Sequence, residues 1–246
     1  MEYKGKVMDP FQVEAVEELK SDNSVVVAAP TGCGKTLIAE YLLDKFLQKG
    51  ERAIYTAPIK ALSNQKYRDF SLYYGDKVGM LTGDVSINPS AQILIMTTEI
   101  FRNMLFAEKE ELSDVKYVIF DEIHYINDIQ RGVIWEESII FALSHMRFLA
   151  LSATIPNAAE LAGWIESIKG HNVKLIEKTE RPVTLYHNIF SKKTGVTPVD
   201  KFLVKVNDRN IRNHTKNFNI RHINDLVHDL QKKDLLPAIN FVFSRE

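Results

Sequence analysis

The run SVVVAAPTGCGKT, residues 24–36, reads as a buried strand that turns sharply into a helix. Ser24 to Ala29 are small or β-branched, as in a strand covered on both faces. The chain then turns through Pro30, Thr31, Gly32, Cys33 and Gly34, and a helix is expected from Lys35. Such a loop aims several backbone N–H groups at one point, where the helix dipole favours negative charge. Gly32 and Gly34 let the backbone close on a phosphate without a Cβ in the way. Lys35 can reach the β- and γ-phosphates, and the Thr36 hydroxyl can ligate Mg²⁺. The spacing is that of G-x-x-x-x-G-K-[ST], with Ala29 in place of the first glycine.

Working outward, DPFQVEAVEEL (residues 9–19) reads as a helix with Asp9 as N-cap and Pro10 in its first turn. Phe11, Ala15, Val16 and Leu19 share a face. Gln12 falls off it, where an ordinary surface residue would lie. Downstream, Leu37 to Leu47 have helical spacing, Arg52 to Thr56 form a short apolar strand, and Lys60 to Leu72 look helical. Val78 to Leu81 and Ile93 to Met96 are further strands. Thr97 and Thr98 precede Glu99 and the apolar stretch to Phe106, a pattern for an N-capped helix. Val115 to Phe120 is a strand running into Asp121-Glu122. Val133 to Met146 reads as a helix, Phe148 to Leu151 as a strand before Ser152-Ala153-Thr154, Ala158 to Ile168 as a helix and Val173 to Ile176 as a strand. This alternation predicts an α/β fold, a doubly wound parallel sheet with helices on both faces. Ligands of such sheets bind at the carboxyl ends of the strands, where Ala29, Thr56, Thr97, Asp121 and Ser152 lie.

The pattern changes after Arg181-Pro182. Val183 to Phe190 alternates like an exposed strand. Residues 191–220 are weakly periodic and rich in Asn, Lys and Arg: Lys192, Lys193, Lys201, Lys205, Arg209, Arg212, Lys216 and Arg221 face only Asp200 and Asp208. They read as a solvated linker or as a contact to a phosphate backbone. Arg221 to Gln231 reads as a helix. Pro237 to Phe243 reads as a strand with nothing after it, as if a second domain began there. The expected division is a nucleotide-binding domain over residues 1–180 and a crossover, basic insertion and first strand of a second domain over 181–246.

The 31 Lys and Arg against 32 Asp and Glu give a formal net charge of −1, so no global attraction to nucleic acid is expected. No apolar run approaches a membrane span, and no signal-peptide pattern opens the chain. Cys33 is the only cysteine, which excludes an internal disulfide and a cysteine zinc site and fits a reducing, intracellular setting.

Nucleotide hydrolysis needs a metal, an oriented water and compensation of charge on the γ-phosphate. Asp121, at a strand tip, is placed to hold Mg²⁺, and Glu122 to polarise the attacking water. Alone, the pair could instead be acidic residues favoured at a helix N-terminus. Beside a phosphate loop, hydrolysis is the better reading. His124 could be a core or capping histidine, or a switch toward a neighbouring domain.

Taken together, DPFQ, APTGCGKT, TAPIKALSNQKYRDF, LTGDVSINPSAQILIMTTEI, DEIHYIND, RGVIWEES, LSAT, RPVTLYHNIF and PAINFVFSRE resemble the first RecA-like domain of a superfamily 2 DExH-box helicase. The long stretches look most like the superkiller-type RNA helicases associated with the exosome. The resemblance implies ATP and Mg²⁺ as cofactors and single-stranded RNA, rather than DNA, as partner. It implies adenine reading by Gln12 and triphosphate binding by residues 30–36, with Thr36 and Asp121 on the metal. It places Glu122 at the water, His124 as a coupling residue, and Ser152 and Thr154 as links between nucleotide state and domain movement. It lays Pro58, Lys60, Asn64, Gln65, Thr82, Gly83, Thr97 and Thr98 along the nucleic acid. Lys6 stands where the family often has a base-stacking aromatic. Arg131 and Gly132 match a subgroup stretch with no firm role.

The resemblance further implies a second RecA-like domain carrying an arginine finger, so this chain alone is expected to bind ATP weakly and hydrolyse it poorly. The alternatives are a repair-type DNA helicase and a passive nucleotide-binding module.

Overall fold

The computed structural model describes residues 1–191, 195–201 and 223–239. The chain divides into two units, residues 1–182 and 183–246.

The first unit opens on a hairpin, β1 (Glu2–Tyr3) and β2 (Lys6–Val7). Then follow α1 (Pro10–Lys20), β3 (Ser24–Ala28), α2 (Lys35–Lys49), β4 (Arg52–Ala57), α3 (Lys60–Tyr74), β5 (Val78–Leu81) and β6 (Ser86–Ile87). They are succeeded by β7 (Ile93–Thr97), α4 (Thr98–Ala107), β8 (Val115–Phe120), α5 (Val133–Phe141), β9 (Arg147–Ser152), α6 (Ala158–Lys169) and β10 (Val173–Glu177). Eight strands form one sheet in the order β10-β3-β9-β8-β4-β7-β5-β6. All its pairings are parallel except β5 with β6, which closes one edge as an antiparallel pair that the sequence pattern did not reveal.

Alternation along each strand sorts the core into two layers. Val25 and Val27, Ala53 and Tyr55, and Ile93 and Ile95 pack with α1, α2 and Phe70 of α3. Val26, Ile54 and Leu94 face the other way, with Phe101, Trp135 and Ile165 from α4, α5 and α6. Both faces are therefore dry, which is why most of β3 and Tyr117–Phe120 of β8 read as apolar runs, with Lys116 near the start of β8 reaching out to Asp22.

Three local readings are corrected. Helix α5 ends at Phe141 rather than Met146 because the Lys169 ammonium of α6 takes the carbonyls of Ile139 (3.1 Å) and Ala142 (2.7 Å), and Ala142 turns to extended geometry. Thr97 holds the N-cap position of α4 in extended backbone, but its side chain makes no cap hydrogen bond. Gln12 is not a surface residue: it is buried.

In the second unit, β11 (Asn188–Ser191) pairs antiparallel with β12 (Gly195–Pro198), and α7 spans Ile223–Lys232. The Asp229 carboxylate of α7 accepts from the Val196 N–H at 2.6 Å and from Lys233 Nζ at 3.0 Å. The exposed strand read over residues 183–190 is paired only from Asn188, since its partner is four residues long. Of the strand read over 237–243, Pro237–Ile239 is not in a strand and the rest lies outside the described residues, as do residues 192–194 and 202–222 with most of the basic side chains.

Candidate nucleotide and nucleic-acid site

The loop between β3 and α2 is built as its sequence requires. Gly32 and Gly34 have φ of +88° and +80°, in the region that disfavours side chains. Gly34 is the N-cap of the 15-residue α2, with no side chain bonding its first turn. Lys35 Nζ donates to the carbonyls of Ala29 (2.7 Å) and Pro30 (3.1 Å) at the foot of the loop. Burial pushes its ammonium below the usual lysine range, against the opposing pull of Glu122 and Asp121.

Gln12 clasps this loop from α1. Its Oε1 accepts from the Asp9 N–H at 2.9 Å, which completes a capping box. Its Nε2 donates to the carbonyls of Cys33 (3.2 Å) and Gly34 (2.9 Å). The residue that periodicity leaves outside is thus drawn in by backbone 21 and 22 residues away. A Cβ on Gly34 would lie 2.8 Å from Gln12 Nε2, so glycine there serves both the turn and the clasp. Thr31 and Gly32 are exposed, Cys33 is half-buried and Pro30 buried.

The acidic pair stands two strands away in the sheet, past β9. Asp121 follows β8, its N–H bonded to the Thr56 carbonyl at 3.0 Å. The Tyr55 hydroxyl donates to Asp121 Oδ2 at 2.6 Å. Burial first, and Asp121 second, hold the Tyr55 phenol well above its ordinary pKa, so it stays a donor. Glu122 sits at φ 53°, ψ 44°, left-handed for a residue with a side chain, and its N–H returns to Asp121 Oδ1 at 3.1 Å. That turn sends the two carboxylates different ways. Glu122 Oε2 lies 3.3 Å from His124 Nδ1, and the same nitrogen lies 3.5 Å from the Ala153 N–H. Nδ1 serves one of them at a time: deprotonated it accepts from Ala153, protonated it donates to Glu122. His124 therefore stands between the acidic pair and the segment after β9. Ser152 is buried and its hydroxyl has no hydrogen-bond partner among the described residues, while Thr154 is exposed.

Lys66 of α3 was not singled out by the sequence. Its Nζ donates to Thr36 Oγ1 at 3.2 Å and lies 3.8 Å from Asp121 Oδ2. Thr36 and Asp121 therefore face one point, and that point already suits a cation. Among the described residues no group of three or more His, Cys, Asp or Glu could hold a metal unaided. One hydroxyl and one carboxylate suit a Mg²⁺ whose remaining ligands come from phosphate and water.

The other predicted residues lie at the tips of β4, β7 and β5 and in the N-terminal parts of α3 and α4. Asn64 and Gln65 are exposed on α3, and Lys60 is exposed beside Gly83, with its ammonium paired to Asp84. Pro58, Thr82, Thr97 and Thr98 are buried, so they offer mainly backbone, and Thr98 Oγ1 has no hydrogen-bond partner among the described residues. Arg131 now has a place. Its guanidinium donates to the Pro58 carbonyl at 2.6 Å, pairs with Glu99 and lies over the Trp135 ring. It ties the loops after β4 and β7 to the segment following Asp121. Lys6 is exposed. Tyr55 carried a usable sequence signal: a tyrosine in a dry strand needs a partner for its hydroxyl. Lys66 carried none beyond charge, and Arg131 only its place in a stretch shared with the subgroup.

A phosphate loop and a strand-end acidic pair in a mainly parallel sheet define a nucleoside-triphosphate-binding domain. The chain belongs to the DEAD/DEAH box helicase family, whose family pattern matches residues 9–161. It is 48% identical over 213 residues to the antiviral helicase SKI2 of Saccharomyces cerevisiae, covering 86% of this chain and 16% of that protein. It is 49% identical over 183 residues to the ATP-dependent RNA helicase mtr4 of Schizosaccharomyces pombe, covering 74% and 16%. The structure of Mycobacterium smegmatis helicase Lhr bound to single-stranded DNA and AMP-PNP matches with a TM-score of 0.56 at 25% identity, covering 70% of this chain and 26% of that one. The chain thus spans about one sixth of the length of these curated relatives.

Proposed function

We propose that this chain is the ATP-binding half of an RNA helicase motor. Residues 30–36 hold the triphosphate, Thr36 and Asp121 hold Mg²⁺ and Glu122 orients the water. When bound, the metal neutralises charge that develops on the phosphates. The observation that carries this reading is the convergence of Thr36 and Asp121 on one point beside the Lys35 loop. Single-stranded RNA crosses the tips of β4, β7 and β5, where backbone groups and helix starts suit phosphate and ribose contacts and read no sequence. RNA is favoured over DNA because the relatives near 50% identity include one named as an RNA helicase. Partners in a superkiller or exosome-type complex and an intracellular setting belong to the same proposal. A second RecA-like domain supplies an arginine finger, a group worth about 10³–10⁵ in rate in related systems.

The test is nucleotide binding and ATP turnover with single-stranded RNA or DNA, using Lys35→Ala as control. The expected result is binding lost in Lys35→Ala, little turnover by this chain, and preference for RNA. Equal or stronger DNA binding favours the repair-type reading, and no nucleotide binding refutes the proposal.

A further inference from the structure

Lys66 lies halfway along α3 and projects toward the nucleotide loop. Its ammonium touches the Thr36 hydroxyl at 3.2 Å and stands 3.8 Å from the Asp121 carboxylate. It also lies 5.6 Å from the centre of the Tyr55 ring, whose hydroxyl holds the same carboxylate oxygen. The Lys66 and Asp121 side chains are only 15% and 13% exposed, so solvent screens the pair weakly. A lysine on a solvated helix face would point outward. This one is anchored by a hydroxyl, a carboxylate and a ring.

We propose that Lys66 is a tethered stand-in for the divalent metal: its ammonium holds the place between Thr36 and Asp121 and withdraws when metal–nucleotide binds. The inference rests on the nucleotide reading above. Two cations cannot share a hydroxyl and a carboxylate at these distances without strong repulsion. The lysine-in arrangement therefore competes with metal, and the apparent metal affinity is reduced by the fraction of molecules that hold it. Asp121 stays aimed with or without the ammonium, because the Tyr55 hydroxyl holds its Oδ2. Lys66 thus sets the metal requirement of nucleotide binding.

The experiment uses the full chain and N-methylanthraniloyl-ADP, read by fluorescence during a Mn²⁺ titration and again in EDTA. Lys66→Met removes the charge at similar length, and Lys66→Arg keeps it. The half-saturating Mn²⁺ should fall at least about fivefold in Lys66→Met, the upper end for an exposed ion pair and a floor for one this little exposed. Affinity in EDTA should fall, because the stand-in cation is gone. Lys66→Arg should stay near wild type. A half-saturating Mn²⁺ that is unchanged or raised in Lys66→Met overturns the inference, as does a general loss of binding with and without metal. Wild type that fails to bind the nucleotide removes the nucleotide reading itself. A wild type that binds, with an indifferent Lys66→Met, removes only the role of Lys66.

Discussion

Replacing Gln12 by Glu separates two roles that one amide plays. In a capping box Glu is as good as Gln, so the cap alone predicts no loss from the substitution. The clasp predicts otherwise. Nε2 donates to the carbonyls of Cys33 and Gly34, and a carboxylate would set an acceptor against both. Each lost hydrogen bond is worth about 1 kcal/mol, and burying an unpaired negative oxygen adds to it. The sum is about 2–3 kcal/mol, or roughly 5–10 °C in the melting temperature of a unit this size. Thermal and urea unfolding of the two proteins side by side measure it. The loss should also depend on pH. Facing carbonyls, the new carboxyl has a folded pKa above its unfolded one, so the folded state binds more protons. The deficit should shrink toward pH 4, where a protonated carboxyl restores one of the two donors, and reach its full size above about pH 7. A Gln12→Glu protein within 0.5 kcal/mol of wild type at pH 8 would refute the clasp.

Two further outcomes are expected. Gly132→Ala would place a Cβ 2.2 Å from the Ile126 carbonyl and 2.7 Å from that of Asp128. Since backbone cannot yield cheaply, it should cost about 3 kcal/mol in urea unfolding. His171, pushed down to about 4 by burial and by Arg147 and Lys169, stays neutral in the fold, with Nε2 2.6 Å from Ser24 Oγ. The unfolded chain takes up that proton near pH 6.5, so stability should be level above this and fall toward pH 4. His171→Gln should flatten that fall in a pH series of unfolding curves.

The nucleotide loop and the acidic pair are legible in the sequence because their information is local. A strand, its turn and the following helix occupy residues 24–49 without a break, and Asp121-Glu122 ends a continuous apolar run. What escapes the sequence depends on pairing between distant segments. The burial of Gln12 is decided by carbonyls beyond β3, and the end of α5 by a lysine of α6. Tyr55 meets Asp121 only because β4 and β8 pair in the register that sets Thr56 against Phe120. Lys66 and Arg131 are ordinary charged residues until the fold brings Thr36, Pro58 and Glu99 to them.

The strand order has a consequence of its own. Read along one edge, β3, β9 and β8 carry the phosphate loop, Ser152 and Asp121, and then β4, β7 and β5 carry Pro58, Thr97 and Thr82. The proposed nucleotide and nucleic-acid sites thus occupy adjoining stretches of a single border, five strand spacings or about 24 Å from β3 to β5. Their frontier is the β8–β4 pairing, where Tyr55 reaches across to Asp121. The Tyr55 hydroxyl makes the side-chain bond that crosses that seam to the acidic pair.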